Sequence, residues 1–494
     1  MNKINTYFQD HLEWELLEST EKITLLTFEK GIYNLNKNCV IEFSRDTEYN
    51  LQAKISGIIT APDELNPNNK EIKGGFIDNE KIIGYSPDGL YQYIISGVIG
   101  SSNTTGYSTN PISMKFEAVL IVDSIEKNFI PNKNVPIECI QEWFLSSNVN
   151  IHFPRTTKRE LHQHYKKNRE DVDNEDSSRL IQSSSSSNDY LIVNFDNTSF
   201  IVSKVPKEFG PNWSYNLSIE YRQSFGKIPT KQMREAISEL VGFIFGNQIQ
   251  KIGQTSYDSN FNIISQKYKN PWTNHTISKC SQTSLPPIEI GNYQNWGHAE
   301  TLLNELISPY LNKRNLFQLK DTLWKYWIAK DAALGTNLPI LSSAIETLAE
   351  RIIKQAPNVK RSYIDYKQFS ELISKELLSI EKKLGGNLHK DKIINKIKAS
   401  SQRGSNEKLL MMFEILDLEI GNIEQKAIKA RNKMAHSSSG NISAKKWREI
   451  LRLTRAYETL FNRIFLKTLG YKGKYKDYYT LGHPNRDINS PIPE

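Results

Sequence analysis

The hydrophobic periodicity of this chain changes near residue 295, and that change most constrains what the chain can fold into. Before it, short apolar runs rich in Ile, Val, Phe and Tyr alternate with turn-forming Asn, Gly, Pro and Asp, as in strands joined by turns. From about residue 298 apolar residues recur every three or four positions, which is typical of amphipathic helices. The sequence therefore predicts an α+β protein with a β-rich region at 1–295 and an all-α helical bundle at 296–494.

Within the N-terminal region, two stretches are predicted to be helical and one to be irregular. The segment IECIQEWFLSS at 137–147 is interpreted as a short helix, and TKQMREAISELVGFIFG at 230–246 as an amphipathic helix. Charge runs followed by five serines indicate a mobile segment at about 156–188. The runs predicted to be strands are KITLLTFEKGIYNL, CVIEFS, YNLQAKISGIITA, YQYIISGVIG, MKFEAVLIVDSI, DYLIVNF, SFIVSKV and YNLSIEYRQ.

The C-terminal region carries five apolar stripes at helical spacing, each predicted to face a common core. They are Leu341, Ile345, Leu348 and Ile352; Phe369, Ile373, Leu377, Ile380 and Leu384; Leu409, Met412, Phe413, Leu416 and Ile420; Ile423, Ala427, Ala430 and Met434; and Trp447, Ile450, Leu451, Tyr457, Phe461, Ile464 and Phe465. Amphipathic helices joined by short links predict a bundle.

Charge is unevenly divided between the two regions. Residues 301–494 hold 34 lysines and arginines against 20 aspartates and glutamates, a net charge of +14, so the remainder of the chain carries −6. This division suggests that only the C-terminal region meets a polyanion, although a solvated lysine surface explains it equally well. Three widely separated cysteines favour a reducing cytosol, and no apolar run is long enough to predict a membrane span.

One candidate catalytic pair, Arg431 and His436, lies in the sequence RNKMAHSSSG. The chain has 9 histidines, and an arginine followed by a histidine at one of three similar spacings is expected by chance about once. Two further matches, Arg155 with His162 and Arg159 with His164, run into the charged, serine-rich segment and are interpreted as accidents. The spacing alone therefore carries almost no information.

The position of the third pair is more informative than its spacing. Arg431 borders the predicted apolar face of a helix, and His436 falls where that helix is expected to end. Five residues of ideal helix separate the two side chains by about 140°, so a site using both needs a distorted helix end or a partner surface. Arginine binds phosphate with two parallel hydrogen bonds, and histidine exchanges protons near neutral pH. On the residues alone, a structural or surface role is nevertheless favoured over catalysis.

The sequence RNxxAH, followed by a long amphipathic helix, resembles the HEPN superfamily of ribonucleases. Their motif, with a polar residue after the arginine, is matched here by Arg431, Asn432 and His436, and LPILSSAIETLAERI is similar to the helix packed beside it. The whole chain resembles the ApeA family of bacterial anti-phage HEPN proteins. IQEWFLSS and YNLSIEYRQSFGKIPTKQMREAISELVGFIFG are similar to N-terminal stretches of that family.

This resemblance implies a metal-independent endoribonuclease that acts in the cytoplasm and needs no cofactor. His436 would act as general acid and base, Arg431 would stabilise the transition state, and Asn432 would assist. Two HEPN domains commonly pair, so a homodimer with both motifs in one cleft is implied. The family role implied is growth arrest or abortive infection through cleavage of cellular RNA, such as tRNA or another structured RNA. The charge division and the two-part organisation lead to the hypothesis that the acidic N-terminal region senses a phage-derived trigger or restrains the toxin.

Other residues are weaker candidates, and each has an ordinary alternative. Lys445, Arg448, Arg452 and Arg455, here named the basic stripe, would track an RNA backbone or form a solvated helix face. Glu346 would orient Arg431 or His436, although an ordinary residue at the edge of the core is slightly favoured. The tyrosines of YKGKYKDYYTLGHP would stack on bases or, as the favoured alternative, dock the tail on the bundle. No metal-ligand set is found in the sequence.

Two alternatives to the ribonuclease remain open at the level of the sequence. A non-catalytic HEPN-type adaptor, in which the bundle binds nucleic acid or only dimerises, does not need Arg431 and His436 together. An enzyme with its active site in the β-rich region finds no support, because no paired carboxylates or activated nucleophile are found there.

Overall fold

The structure of the protein is a computed structural model. It describes residues 21–24, 40–45, 49–59, 81–97, 99–101, 107–110, 113–132, 134–146, 151–156, 158–161, 165–168, 188–205, 215–260, 262–272, 285–291, 295–357, 359, 362–435 and 443–494. Strands dominate the described residues before 270 and helices dominate those after 298, so the predicted α+β fold class is confirmed.

The strands fall into two large sheets and two short hairpins. They are β1 Glu21–Thr24, β2 Val40–Arg45, β3 Leu51–Ile59, β4 Lys81–Tyr85, β5 Tyr91–Ser96, β6 Ile99–Ser101, β7 Tyr107–Asn110, β8 Ser113–Ile121, β9 Ser124–Phe129, β10 Cys139–Ser146, β11 Arg155–Thr156, β12 Lys158–Leu161, β13 Tyr165–Asn168, β14 Asn188–Phe195, β15 Thr198–Lys204, β16 Tyr215–Arg222, β17 Gln250–Tyr257, β18 Ile263–Lys269, β19 Lys474–Lys476 and β20 Asn485–Asp487.

One of the described helices lies between β16 and β17, and the others lie between β18 and β19. They are α1 Lys231–Phe245, α2 His298–Lys313, α3 Leu319–Asp331, α4 Asn337–Gln355, α5 Tyr366–Leu372, α6 Ser374–Lys383, α7 Lys390–Ala399, α8 Ser405–Ile415, α9 Asn422–Ala435 and α10 Ala444–Leu469.

Both large sheets contribute to one apolar core. The six-stranded sheet has the order β1-β2-β3-β8-β6, with β7 also paired to β8. The ten-stranded sheet has the order β11-β14-β15-β16-β10-β17-β18-β9-β5-β4, and its neighbours pair antiparallel. Ile41 and Ile55 from the smaller sheet cluster with Ile95 and Ile125 from the larger one. Residues of β2 alternate between buried and half-buried positions, because only one face of that strand packs into this core.

The helix predicted at 137–147 is wrong, because Cys139–Ser146 forms β10 near the centre of the ten-stranded sheet. All eight of its residues are buried, and it pairs with β16 on one side and β17 on the other. A strand covered on both faces loses the alternation of polar and apolar residues by which strands are identified. Strands β17 and β18 were not predicted, because their Gln, Lys, Ser and Thr residues weaken the apolar pattern of a strand.

The helix predicted at 230–246 is confirmed as α1, with Ile237, Leu240 and Ile244 buried along one face. Thr230 caps its first turn by accepting a hydrogen bond from the backbone N–H of Met233 at 3.3 Å. Arg234 on this helix donates from Nε to Oε1 of Glu142 on β10 at 3.0 Å. This contact shows that α1 covers the face of the sheet to which Glu142 points.

Gly246 ends α1 in the left-handed conformation, with φ of 76°. A Cβ atom there would overlap with backbone atoms of Leu285 and Pro286. We expect Gly246→Ala to lower the free energy of unfolding by more than the roughly 1–2 kcal/mol that the left-handed conformation costs alone. Gly470→Ala is the matched control, because Gly470 also ends a helix at positive φ but has open space around it. Equal losses for the two variants in denaturant unfolding would contradict the overlap.

The chain divides into two compact units, Met1–Pro286 with Ile290–Ser308, and Pro287–Glu289 with Pro309–Glu494. The sequence placed the boundary after residue 295, whereas this division falls inside α2. The first part of α2 belongs to the β-rich unit because its polar side chains bind β14. Glu300 accepts a hydrogen bond from the backbone N–H of Ile192 at 2.9 Å, and Asn304 accepts one from that of Asn194 at 2.6 Å.

The described part of the irregular segment predicted at about 156–188 contains strands. Hairpin β12–β13 occupies much of 158–168, and β14 begins at Asn188. Residues 169–187 lie outside the described residues, as do His162 and His164. Arg155, from one of the accidental spacing matches, forms an ion pair with Glu300 and is accounted for by that contact.

The predicted apolar stripes of the bundle are only partly buried as expected. Every member of the stripe on α4 is buried, as are five of the seven on α10, namely Ile450, Tyr457, Phe461, Ile464 and Phe465. Trp447 is exposed. The stripe beginning at Phe369 is divided between α5 and α6, and only Leu377 of it is buried. Leu416 and Ile420 lie beyond the end of α8.

Candidate functional site

The predicted catalytic motif lies at the end of α9. Arg431 and Asn432 belong to the last five residues of this helix, which ends at Ala435. His436 follows directly and lies outside the described residues, as do 437–442. The structure therefore bears on this candidate site through the backbone position of α9 and through the elements that hold it.

A buried ion pair fixes the start of α9 to α10. Nη1 of Arg463 lies 2.7 Å from Oε1 of Glu424, and both side chains are fully buried. The guanidinium also donates to the carbonyl oxygens of Ile488 at 3.0 and 3.1 Å and Glu419 at 2.8 Å. Burial lowers the pKa of Arg463, whereas Tyr475 and Glu424 raise it. The pair is thus saturated with hydrogen bonds, which is the condition under which a buried charge is tolerated.

The C-terminal tail completes this anchor. Oε1 of Glu424 accepts a hydrogen bond from the backbone N–H of Ile492 at 2.8 Å, and Oε2 accepts one from that of Gly421 at 3.0 Å. The ring of Tyr475 lies 5.0 Å from the guanidinium carbon of Arg463. Three secondary-structure segments, α9, α10 and the tail, therefore meet at one carboxylate.

The tail itself docks on the bundle, as the favoured sequence alternative predicted. Tyr471, Tyr475 and Tyr478 are buried, so the base-stacking interpretation is wrong for these three side chains. The hydroxyl of Tyr475 donates to the carbonyl of Ser490 at 3.0 Å, and the backbone N–H of Tyr478 donates to Oγ1 of Thr459 at 3.2 Å. The tail lysines Lys472 and Lys474 remain exposed.

The Glu424–Arg463 pair also determines the direction of α9 relative to α10. In a parallel arrangement, the end of α9 and the start of α10 would lie about 45 Å apart along the axes. The nine peptide units from Ala435 to Ala444 span at most about 32 Å, so the two packed helices run antiparallel.

This direction places the end of α9 beside the middle of α10. Counting from the pair at 1.5 Å per residue, Arg431 lies level with about residue 456 and Ala435 with about residue 452. Arg452 and Arg455 of the basic stripe are therefore at the level of the motif. The first two turns of α10, with Lys445 and Arg448, extend past the described end of α9.

The basic stripe is exposed over most of its length. Lys445, Arg448 and Arg452 are exposed. Arg455 is half-buried, and its Nη1 lies 3.1 Å from Oε2 of the buried Glu458. Only the first three cations of the stripe thus present a solvated surface, whereas Arg455 takes part in an ion pair.

Glu346 lies on α4, which packs against both α9 and α10. Its Oε1 accepts a hydrogen bond from Oγ of Ser342 at 3.3 Å, one turn earlier on the same helix. The contact of Glu346 with Arg431 or His436 stays a prediction, because His436 lies outside the described residues.

Sequence analysis missed a second polar cluster, which surrounds Glu458. Burial lowers the pKa of Lys330 on α3, and the Glu458 carboxylate raises it. Burial also raises the pKa of Tyr326 well above its ordinary value. The ring of Tyr326 stacks on that of Phe461 with centroids 4.4 Å apart. Spacing along the chain gave no signal for this cluster, because α3 and α10 are more than a hundred residues apart.

Among the described residues, no group of three or more His, Cys, Asp or Glu side chains is placed to hold a metal ion. None of the helices in the described part of the chain combines the length and the apolar character needed to cross a bilayer. Cys139 lies buried at the start of β10.

No protein-family model, no curated protein and no solved structure matches the chain.

Proposed function

We propose that the protein is a HEPN-type, metal-independent endoribonuclease, with Arg431, Asn432 and His436 at its active site. The observation that carries the proposal is the anchoring of α9 by the buried Glu424–Arg463 pair. This anchor holds the helix that bears the motif beside α10, where the exposed Arg452 lies level with the end of α9. A rigid helix end beside a cationic surface suits the positioning of an RNA phosphate.

The proposed chemistry is attack of an RNA 2′-hydroxyl on its own phosphodiester. His436 removes the 2′-hydroxyl proton, the 2′-oxygen bonds to phosphorus, and the 5′-oxygen leaves with a proton from a second imidazolium. Arg431 stabilises the charge that grows on the phosphoryl oxygens, with Asn432 as a further donor. The products are a 2′,3′-cyclic phosphate and a 5′-hydroxyl.

One histidine cannot act as base and acid at the same moment, and this favours a homodimer. Two motifs facing one cleft would supply a base from one protomer and an acid from its partner. Such pairing would also mean that Arg431 and His436 of one protomer, whose side chains diverge by about 140° on an ideal helix, need not reach the same phosphate. We therefore propose a second copy of this chain as partner, paired through the helical unit.

The cellular role proposed is cytoplasmic anti-phage defence by abortive infection. The RNA cut would be tRNA or another structured RNA, and the β-rich unit would restrain the toxin until a phage-derived trigger appears. The contrast between net charges of −6 and +14 in the two parts of the sequence supports a division between regulation and RNA binding. The alternative is a non-catalytic HEPN-type adaptor that binds nucleic acid or dimerises.

The direct test is cleavage of structured RNA by the purified full-length chain in the presence of EDTA. The expected products end in 2′,3′-cyclic phosphate and 5′-hydroxyl groups. Products with 3′-hydroxyl ends would show a different chemistry and would overturn the proposal. RNA that is bound but left intact, both with and without extracts of phage-infected cells as a source of trigger, would favour the adaptor.

The exposed part of the basic stripe gives a separate prediction about RNA affinity. We expect the triple change of Lys445, Arg448 and Arg452 to alanine to weaken RNA binding and to reduce the salt dependence of log K by about 2, since each lost phosphate contact removes roughly 0.7. The control replaces Lys375, Lys382 and Lys383, which are exposed on α6, and changes the net charge equally. Equal losses of affinity in both variants, measured over a salt series, would exclude a specific role for the stripe.

A further inference from the structure

A row of polar side chains crosses the middle of the ten-stranded sheet in the β-rich unit. Gln141 on β10 is directly opposite Glu220 on β16 and Thr255 on β17, and Thr255 is opposite Gln266 on β18. Residues directly opposite in antiparallel strands point to the same face of the sheet. These four residues, here named the polar row, therefore share one face across four consecutive strands.

The polar row lies on the face opposite to α1. Glu142, the next residue after Gln141, points to the other face and binds Arg234 of α1. Side chains alternate between faces along a strand, so Gln141 points away from that helix. The face that carries the polar row is thus separate from the helix-covered side of the sheet.

All four members of the row are buried, which is unusual for polar side chains. Glu220, Gln141 and Thr255 are fully buried, and Gln266 is 6% exposed. Glu220 forms an ion pair with Arg222 two residues along the same strand. Nε2 of Gln141 donates to Oγ of Ser218 at 3.3 Å, and Ser218 bonds to Ser203 at 2.8 Å. The charged end of the row is therefore neutralised within the sheet.

Two polar atoms of the row remain unsatisfied. In the described part of the chain, neither Oε1 of Gln141 nor Nε2 of Gln266 has a hydrogen-bond partner. One is an acceptor and the other a donor, and a buried group of either kind without a partner is costly. Their strands are separated only by β17, so their Cα atoms lie about 10 Å apart, and both side chains are on the face of the sheet that carries Thr255.

Aromatic side chains flank the polar row on the same face. Trp143, two residues after Gln141, is opposite Gly253, and a Cβ atom on that glycine would lie 3.8 Å from Cδ1 of Trp143. On the other side of the row Tyr257 is opposite Cys139, and both are buried. Flat apolar surfaces on both sides of a donor and an acceptor suit a small planar ring.

We propose that the polar row is a binding site for a neutral cyclic amide, the kind of edge that uracil or hypoxanthine presents. The ring N–H would donate to Oε1 of Gln141, and the adjacent carbonyl oxygen would accept from Nε2 of Gln266. The ligand is neutral because Glu220 and Arg222 already neutralise each other. This site lies in the β-rich unit and is independent of the ribonuclease proposal.

The test is calorimetric titration of the full-length protein with uracil and with hypoxanthine. We expect saturable binding of at least one of them and a rise in Tm with ligand concentration. The matched ligand is 1,3-dimethyluracil, which keeps the ring and carbonyls but lacks the N–H donors. Its affinity is expected to be at least about tenfold lower than that of uracil, because the acceptor of Gln141 stays unsatisfied.

Variants of the row give the second arm of the test. Gln141→Leu and Gln266→Leu are expected to weaken binding by about tenfold or more while keeping the folded state. Each removes an unsatisfied polar atom, and Gln141→Leu also removes the 3.3 Å hydrogen bond to Ser218. Gln92→Leu is the control, because Gln92 lies on β5 and already donates to the hydroxyl of Tyr85 at 2.9 Å. The comparison of uracil with dimethyluracil uses the wild-type chain and remains decisive if a variant fails to fold.

Three results would overturn the proposal. The first is that neither uracil nor hypoxanthine binds saturably. The second is that dimethyluracil binds as tightly as uracil. The third is that the Gln141 and Gln266 variants bind uracil like wild type. If no ligand binds and the Tm of both leucine variants is raised, the unsatisfied atoms of the polar row only destabilise the folded protein, and the row is not a ligand site.

Discussion

Replacing His436 with alanine is expected to reduce RNA cleavage by about 10²–10⁴-fold, because a positioned general acid or base contributes that much to a proton transfer. Arg431→Ala is expected to lose about 10²–10³-fold, the scale of one group that stabilises the developing oxyanion. The measurement is the rate of appearance of cyclic phosphate ends at saturating RNA. In a bacterial host challenged with phage, both variants are expected to lose protection.

The controls separate catalysis from charge and folding. Lys429→Ala removes an exposed cation from the same helix, and His389→Ala removes an exposed histidine, so both are expected to cleave like wild type. Arg431→Lys keeps the charge but loses the two parallel hydrogen bonds to phosphate, and it should remain well below wild type. Full protection by the alanine variants at both motif positions would reject the catalytic role.

Breaking the buried Glu424–Arg463 pair near the start of α9 is expected to have the second large effect. Glu424→Gln or Arg463→Met should lower the free energy of unfolding by about 3–5 kcal/mol, because the remaining charge stays buried without its partner. Denaturant unfolding of the full-length chain, followed by the signal of the helical unit, measures the change. RNA cleavage should fall together with the folded fraction, since α9 loses its anchor.

A matched surface pair provides the reference for this loss. Lys408 binds Glu350 at 3.1 Å, but both side chains are partly exposed, so Lys408→Met should cost at most about 1 kcal/mol. The double variant Glu424→Gln with Arg463→Met should be less destabilised than the sum of the two single variants, because it leaves no unpaired charge. A strictly additive double variant would show that the two side chains do not act as a pair.

The sequence predicted elements well where one strong local pattern defined them. The apolar stripe Leu341, Ile345, Leu348 and Ile352 became the buried face of α4, and Ile237 and Leu240 became that of α1. It failed at β10, because a strand buried on both faces has no alternation to detect. It also missed the polar strands β17 and β18, whose place in the sheet is set by pairing with distant segments.

For the candidate site, the sequence supplied the residues and the tertiary structure supplied their surroundings. The motif Arg431, Asn432 and His436 and the basic stripe are sequence predictions, and the structure adds that Arg455 is engaged by Glu458. Nothing in the local sequence marked Glu424 and Arg463 as partners, since their interaction spans 39 residues and needs α9, α10 and the tail to meet.

The sequence by itself determined the order of β-rich and helical regions, the amphipathic faces of α1, α4 and α10, and the charge difference between the regions. These properties depend on neighbouring residues, and local periodicity encodes them. Only the tertiary structure decided the direction of α9 beside α10, the burial of Glu424 with Arg463 and the alignment of the polar row. Those depend on strand register and helix packing, which join residues far apart in the chain and leave no local pattern.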